Sequence, residues 1–185
     1  MPERPAHSQG RGASGNTARR FAELEVEYDD GEAPPRVKTQ FHRDHSLSVI
    51  SRNSSPDLPF EASLNPYRGC EHGCAYCYAR PTHEYLGYSA GVDFESRIMV
   101  KLDAPALLRR ELARPCYKPV KIALSGVTDC YQPVEKQLRI TRGCLEVLAE
   151  CRHPVSIVTK NHLVLRDIDL LAGLARHNAV VVMMS

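Results

Sequence analysis

The chain has 185 residues, 43% of them apolar and 25% charged, and 24 Lys/Arg against 22 Asp/Glu leave a net charge of +2. Length and balance are those of one soluble globular domain, which excludes a wholly disordered, collagen-like or coiled-coil chain, and the near-neutral charge speaks against a strongly basic nucleic-acid-binding domain. The longest apolar run, Ala179 to Met184, is six residues, where a membrane helix needs about 18; the arginines of MPERPAHSQGRGASGNTARR precede no apolar core of the secretory kind, so a cytoplasmic chain with no membrane partner is expected.

Residues 1–45 are rich in Gly, Pro, Ser, Arg and Glu and show no helical or strand period, so they read as a disordered or loosely attached arm, with 46–185 as the core. Residues 41–60 are transitional, with a turn at Asn53 to Pro59, and regular structure is expected to begin near Phe60. A short strand over Phe60 to Asn65 runs into a cysteine loop, and Arg97 to Lys101 reads as another short extended piece. Asp103 and Pro105 suit the start of a helix carrying Leu107, Leu108 and Leu112, which stops at Pro115. Val120 to Leu124 follows as a buried strand. Pro133 opens a helix of about five turns, with Val134, Leu138, Leu145 and Leu148 on one side and Ile140, Cys144, Val147 and Cys151 beside them. Val155 to Val158 is a strand, Asp167 to Arg176 a helix with Leu170, Leu171 and Leu174, and Val180 to Met184 a continuous apolar strand.

Such alternation is βα repetition, hence an α/β fold with a parallel sheet covered by helices. Chemistry in such folds gathers at the C-terminal ends of the strands. Here those ends are residues 66–78, 125–131, 159–162 and Ser185. The last strand has no closing helix, so the chain is expected to be part of a longer protein.

Seven cysteines, at 70, 74, 77, 116, 130, 144 and 151, form an odd count without a secretion signal, which speaks against a disulfide framework. Three fall within eight residues: Cys70-Glu-His-Gly-Cys74-Ala-Tyr-Cys77. Gly69 and Gly73 permit a tight loop, and thiolate-rich sites select zinc or iron–sulfur clusters. A structural zinc site wants four ligands, and His72, His83 or a distant cysteine would have to supply the fourth. Left at three, the set gives a cluster with one iron open, the mark of a catalytic site. Cys144 and Cys151, seven apart on one helix face, read as buried and inert. Cys130, at a strand end, is divided evenly between packing and function.

CxxxCxxC with an aromatic residue before the last Cys, after the first strand of a βα repeat, resembles the radical S-adenosylmethionine (radical SAM) superfamily. Ser63-Leu-Asn-Pro-Tyr-Arg-Gly-Cys70 through Tyr78-Ala-Arg-Pro-Thr-His-Glu-Tyr85 is similar to the branch related to spore photoproduct lyase. So are Thr128-Asp-Cys-Tyr-Gln-Pro-Val-Glu135 and Val158-Thr-Lys160 followed by Val164-Leu-Arg-Asp-Ile-Asp169. The resemblance spans about residues 50–185.

That resemblance implies the N-terminal part of a partial (β/α) TIM-like barrel, incomplete in this chain. It implies Cys70, Cys74 and Cys77 as ligands of a [4Fe-4S] cluster, with S-adenosylmethionine (SAM) on the fourth iron. Reductive cleavage of SAM would give a 5′-deoxyadenosyl radical, the electron coming from a donor such as flavodoxin or ferredoxin. The carbonyl of Tyr76 is implied against adenine. Ser125, Thr128 and Asp129 are candidates for the methionine ammonium, Lys160 for its carboxylate, and Ser185 for a further contact near SAM. Photoproduct lyases also use a cysteine as hydrogen donor, for which Cys130 is the nearby candidate, out of register. The substrate is left open: nucleic acid is the class the branch suggests, but DNA repair does not carry over without that cysteine in register. Lys136, Arg139 and Arg142 form a basic row that would suit phosphate or serve only as a solvated helix face. The reading from another class is a non-catalytic iron–sulfur or zinc-binding module, or an inactive truncated relative.

Overall fold

A computed structural model describes residues 10–13 and 37–185, so most of the arm assigned to residues 1–45 lies outside the described residues. The strands are β1 (Gln40–Arg43), β2 (Ile50–Arg52), β3 (Ala62–Leu64), β4 (Tyr67–Arg68), β5 (Arg97–Val100), β6 (Ile122–Leu124), β7 (Val155–Thr159) and β8 (Val180–Met184). The α-helices are α1 (Val92–Ser96), α2 (Ala104–Leu112), α3 (Glu135–Leu138), α4 (Ile140–Glu150) and α5 (Ile168–Ala175). The chain divides into two compact units, one of residues 1–42 with 68–99, the other of 43–67 with 100–185. The cysteine loop belongs to the first and the parallel sheet to the second.

In the second unit β2, β3, β6, β7 and β8 form one sheet in that order. β3, β6, β7 and β8 run parallel, and β2 joins as an antiparallel edge. The register sets Leu64 beside Leu124, Leu124 beside Ile157 and Ile157 beside Val182. Leu64, Leu124 and Ile157 are fully buried, together with Leu108 of α2, Leu145 and Leu148 of α4 and Leu174 of α5. Apolar side chains on both sides of short parallel strands are what a sheet covered by helices requires. The architecture is therefore mixed α/β, and these strands do not close into a barrel.

Four expectations need correction. Regular structure begins before Phe60, because β1 and β2 gain their hydrogen bonds from distant partners; Arg52 of β2 pairs with Ala62, and the buried Val49 N–H donates to the Glu111 carboxylate (2.5 Å). Arg97–Val100 is a strand, yet it is the middle strand of a separate three-stranded sheet with β1 and β4. The helix opened at Pro133 is two helices, because Arg139 takes a left-handed conformation (φ 55°). There the buried Glu135 carboxylate accepts from the N–H of Thr141 (3.0 Å) and of Arg142 (3.4 Å), capping α4 from the preceding helix. Finally, Cys151 lies past the end of α4 and is exposed, unlike the fully buried Cys144.

Glu135 is fully buried, and its carboxylate also takes a hydrogen bond from Tyr67 Oη (2.5 Å) and one from Arg166 (2.8 Å). Burial and that carboxylate push the Tyr67 phenol far above its ordinary range. β8 carries little cover: Val181, Val182, Met183 and Met184 are all exposed. No helix among the described residues is long and apolar enough to cross a membrane.

Candidate cysteine centre and strand-end residues

The loop from Cys70 to Cys77 is shaped by two left-handed glycines, Gly69 (φ 82°) and Gly73 (φ 62°). A β-carbon on Gly69 would lie 2.9 Å from the Phe94 carbonyl oxygen, so both conformation and space demand glycine there. Successive turns then tie the carbonyl of every cysteine. Cys70 O accepts from Gly73 N (3.2 Å), Cys74 O from Cys77 N (3.2 Å) and Cys77 O from Arg80 N (3.4 Å). The start of the loop is fixed by Cys70 N donating to Phe94 O (2.9 Å).

Arg80 holds the loop from beneath. Its guanidinium has five N–H donors, and each finds an acceptor. Nε donates to Cys74 O (3.0 Å), Nη1 to Ala90 O (3.2 Å) and Gly91 O (3.0 Å), and Nη2 to Gly73 O (3.1 Å) and Glu95 Oε1 (2.5 Å). The pair with Glu95 is enclosed, the two side chains being 11% and 1% exposed. Sequence reasoning gave neither residue a role. The only local signal was the position of Arg80, three residues past Cys77, since its acceptors are backbone carbonyls that no pattern displays.

Cys70 is buried, Cys74 and Cys77 are half-buried, and Cys70 Sγ lies 3.5 Å from His72 Nδ1. Among the described residues, no three His, Cys, Asp or Glu side chains are gathered as ligands of a single ion. Three thiols on a loop pinned through its carbonyls nonetheless match the soft donor set of an iron–sulfur cluster. His83, a possible fourth ligand by sequence, is spent in packing. It is 1% exposed, Nε2 is 3.0 Å from Arg97 O, and Phe94 stands edge-on to its ring at 5.5 Å. Burial lowers its pKa. Of the distant cysteines, Cys130 and Cys144 are buried with their thiols pushed up by desolvation, and Cys116 and Cys151 are exposed. Tyr76, whose carbonyl carried the adenine expectation, points an 83% exposed side chain to solvent.

The strand-end candidates are wired into their own loops. Ser125, just past β6, takes a left-handed φ of 78° and its Oγ accepts from Cys130 N (3.0 Å). Thr128 is buried, and its hydroxyl donates to Tyr67 O (2.8 Å). Asp129 braces two strand ends: Oδ1 accepts from Tyr131 N (2.9 Å) and the Thr159 hydroxyl (2.7 Å), and Oδ2 from Lys160 N (3.0 Å). Asp129 thus joins the end of β7. Asn65, at the end of β3, accepts from Val127 N (2.9 Å), a link the sequence did not suggest. Ser185 continues β8, its N–H donating to Thr159 O (3.0 Å). Asn65, Ser125, Thr128, Asp129 and Lys160 are therefore drawn together at one end of the sheet. Cys130 is buried in the core beside them, its N–H donating to Ser125 Oγ and its carbonyl accepting from the Thr141 hydroxyl (2.6 Å).

The basic row is dispersed. Arg139 sits at the helix break, and Arg142 pairs with Asp167 (3.0 Å) and Asp169 (2.8 Å).

An uncharacterized protein of Mycobacterium tuberculosis and one of Mycobacterium bovis are each 44% identical to this chain over 154 residues, 83% of this chain and 45% of their own length. An uncharacterized protein of Methanocaldococcus jannaschii is 37% identical over 107 residues, 58% of this chain and 38% of its own. The chain thus spans a little under half the length of the curated relatives it matches. No family model matches the chain, and no solved structure does.

Proposed function

We propose that this chain is the cluster-binding part of a radical SAM enzyme related to the spore photoproduct lyase branch, its parallel strands belonging to a partial (β/α) barrel. One observation carries the reading: three thiols spaced four and three residues apart sit on a loop whose every cysteine carbonyl is already tied. Cys70, Cys74 and Cys77 would hold a [4Fe-4S] cluster, leaving one iron for SAM. Such a cluster, once reduced by an external donor, would supply the electron for splitting the SAM sulfonium into methionine and a 5′-deoxyadenosyl radical, which would take a hydrogen atom from a substrate.

The chain's own groups suit the rest of SAM. The Asp129 carboxylate, oriented by its bonds to Tyr131, Thr159 and Lys160, offers negative charge to the methionine ammonium. Thr128, whose proton is given to Tyr67 O, keeps lone pairs for the same ammonium. The Lys160 ammonium answers the carboxylate, the Tyr76 carbonyl the adenine amine, and Ser185 lies at the next strand end. A flavodoxin- or ferredoxin-type donor fits the reductive step. With Arg142 engaged by carboxylates, the reading takes no nucleic-acid partner from the basic row.

The test is SAM cleavage by the reconstituted, dithionite-reduced protein. 5′-Deoxyadenosine should be released, and Lys160→Ala should weaken SAM binding with iron content intact. A reconstituted cluster that leaves SAM intact and unbound would favour the non-catalytic module.

A further inference from the structure

The described N-terminal residues Gly10–Ala13 lie against the cysteine loop of the same unit, far from it in sequence. Glu95 is 1% exposed, and among the described residues its carboxylate has one side-chain partner, Arg80. Its other donors are backbone amides from this remote segment: Arg11 N–H bonds Oε2, and Gly12 N–H lies 3.1 Å from Oε2 and 3.3 Å from Oε1. The Arg11 guanidinium adds bonds to Glu95 O (3.2 Å) and Thr39 Oγ1 (3.2 Å) and stands 3.7 Å from the buried Glu71 carboxylate, inside the loop. A buried carboxylate is stabilised by each donor it gains, so the two amides add to Arg80 and Glu95 favours the segment in place.

Gly12 also lies tight against the backbone of the loop. A β-carbon on Gly12 would fall 1.8 Å from the Gly73 carbonyl oxygen and 2.9 Å from Ala75 N; one on Gly73 would fall 2.6 Å from Arg11 Cβ. Gly73 is the residue whose N–H closes the turn on Cys70 and whose carbonyl accepts from Arg80. The strap therefore bears on Gly73, the residue whose turn sets the spacing of Cys70 and Cys74.

We infer that Arg11 and Gly12 are positioning residues of the cysteine centre, clamping the Cys70–Cys77 loop through Glu95 and Gly73. The arm is thus partly a component of the site. Any cluster bound there, as the preceding section proposes, would be held by a loop that the N-terminal strap keeps closed, but the inference concerns the thiols and stands without metal.

The experiment uses the full metal-free, reduced chain and measures iodoacetamide labelling rates cysteine by cysteine, together with amide hydrogen exchange over residues 69–79. Gly12→Ala should speed labelling of Cys74 and Cys77 several-fold and deprotect the Gly73 and Cys77 amides. Cys116 and Cys151, exposed in the other unit, should label at unchanged rates. Gly173→Ala, where a β-carbon would meet nothing within 4 Å, is the control and should change neither. Arg11→Lys keeps the backbone donor and a cation and should stay near the parent chain, whereas Arg11→Ala should show an intermediate rise. Loop labelling and exchange unchanged in Gly12→Ala would overturn the inference. If buried Cys144 also labels faster in Gly12→Ala, the whole chain is opening; Arg11→Ala then decides, a confined rise supporting the clamp and no rise overturning it. Iron binding enters neither readout, so failure of the cluster reading would leave these results standing.

Discussion

Replacing Arg80 probes the support of the cysteine loop most sharply. Arg80→Ala deletes five hydrogen bonds, four of them to the carbonyls of Gly73, Cys74, Ala90 and Gly91, and leaves Glu95 buried without its guanidinium. Hydrogen bonds of this kind contribute about 1 kcal/mol net each, and stripping one partner from a buried ion pair costs about 3–5 kcal/mol. The two counts describe overlapping losses, so the expected cost is about 3–5 kcal/mol rather than their sum. Arg80→Lys keeps the charge but offers three tetrahedral donors to five fixed acceptors, leaving at least two unmet, for about 1–3 kcal/mol. The comparison is Arg109→Ala, which removes a pair with Glu150 whose side chains are 56% and 53% exposed; no measurable change is expected there. Urea titration followed by circular dichroism gives the global cost, and hydrogen exchange over the loop shows where it falls, since the two units need not unfold together. Arg80→Ala with the parent's urea midpoint and unchanged loop protection would refute the assignment.

Acidification should destabilise the chain through its buried histidines. Desolvation lowers the pKa of His83 and His153 below the ordinary 6.5, so the folded state binds fewer protons than the unfolded one. Their contribution is complete above about pH 6.5 and is lost as the pH falls through that value toward the lowered pKa values. The depressed Asp167 carboxylate acts the same way only below its ordinary 3.8, outside this window. Urea midpoints should therefore decline between about pH 7.5 and 5.5, and a flat profile would contradict the burial argument. The exposed apolar strand β8 should make the chain self-associate with concentration, and Met183→Lys should suppress this in sedimentation velocity; equal profiles would show that this edge is not the contact. Cys144→Ala should lower stability and leave iron uptake unchanged, because its thiol is fully buried in the other unit's core.

The parallel strands were legible as short, mainly apolar stretches between turns and helices, and Leu64, Leu124 and Ile157 are where that pattern puts them. The cysteine loop was legible from spacing alone. What escaped was anything made by distant backbone. The pairing of Ile50 with Leu64 draws the 41–60 segment into the sheet, although nothing local marks it as strand. The break at Arg139 follows from the Glu135 carboxylate capping a second helix, while the apolar period continues across it. Arg80 and Glu95 drew no role because their partners are carbonyls, amides and each other. Cys151 follows the period of its helix and still faces solvent, since the helix has ended one residue earlier.

The central claim is that Cys70, Cys74 and Cys77 bind an iron–sulfur cluster. Anaerobic reconstitution with iron and sulfide, followed by metal and sulfide counting on the desalted chain, tests it most directly. About four irons and four sulfides per chain are expected, with a brown charge-transfer absorbance, and both should vanish in the Cys70→Ala, Cys74→Ala and Cys77→Ala variants. Tight stoichiometric zinc with no sulfide retained, or full iron content in those variants, would contradict the account.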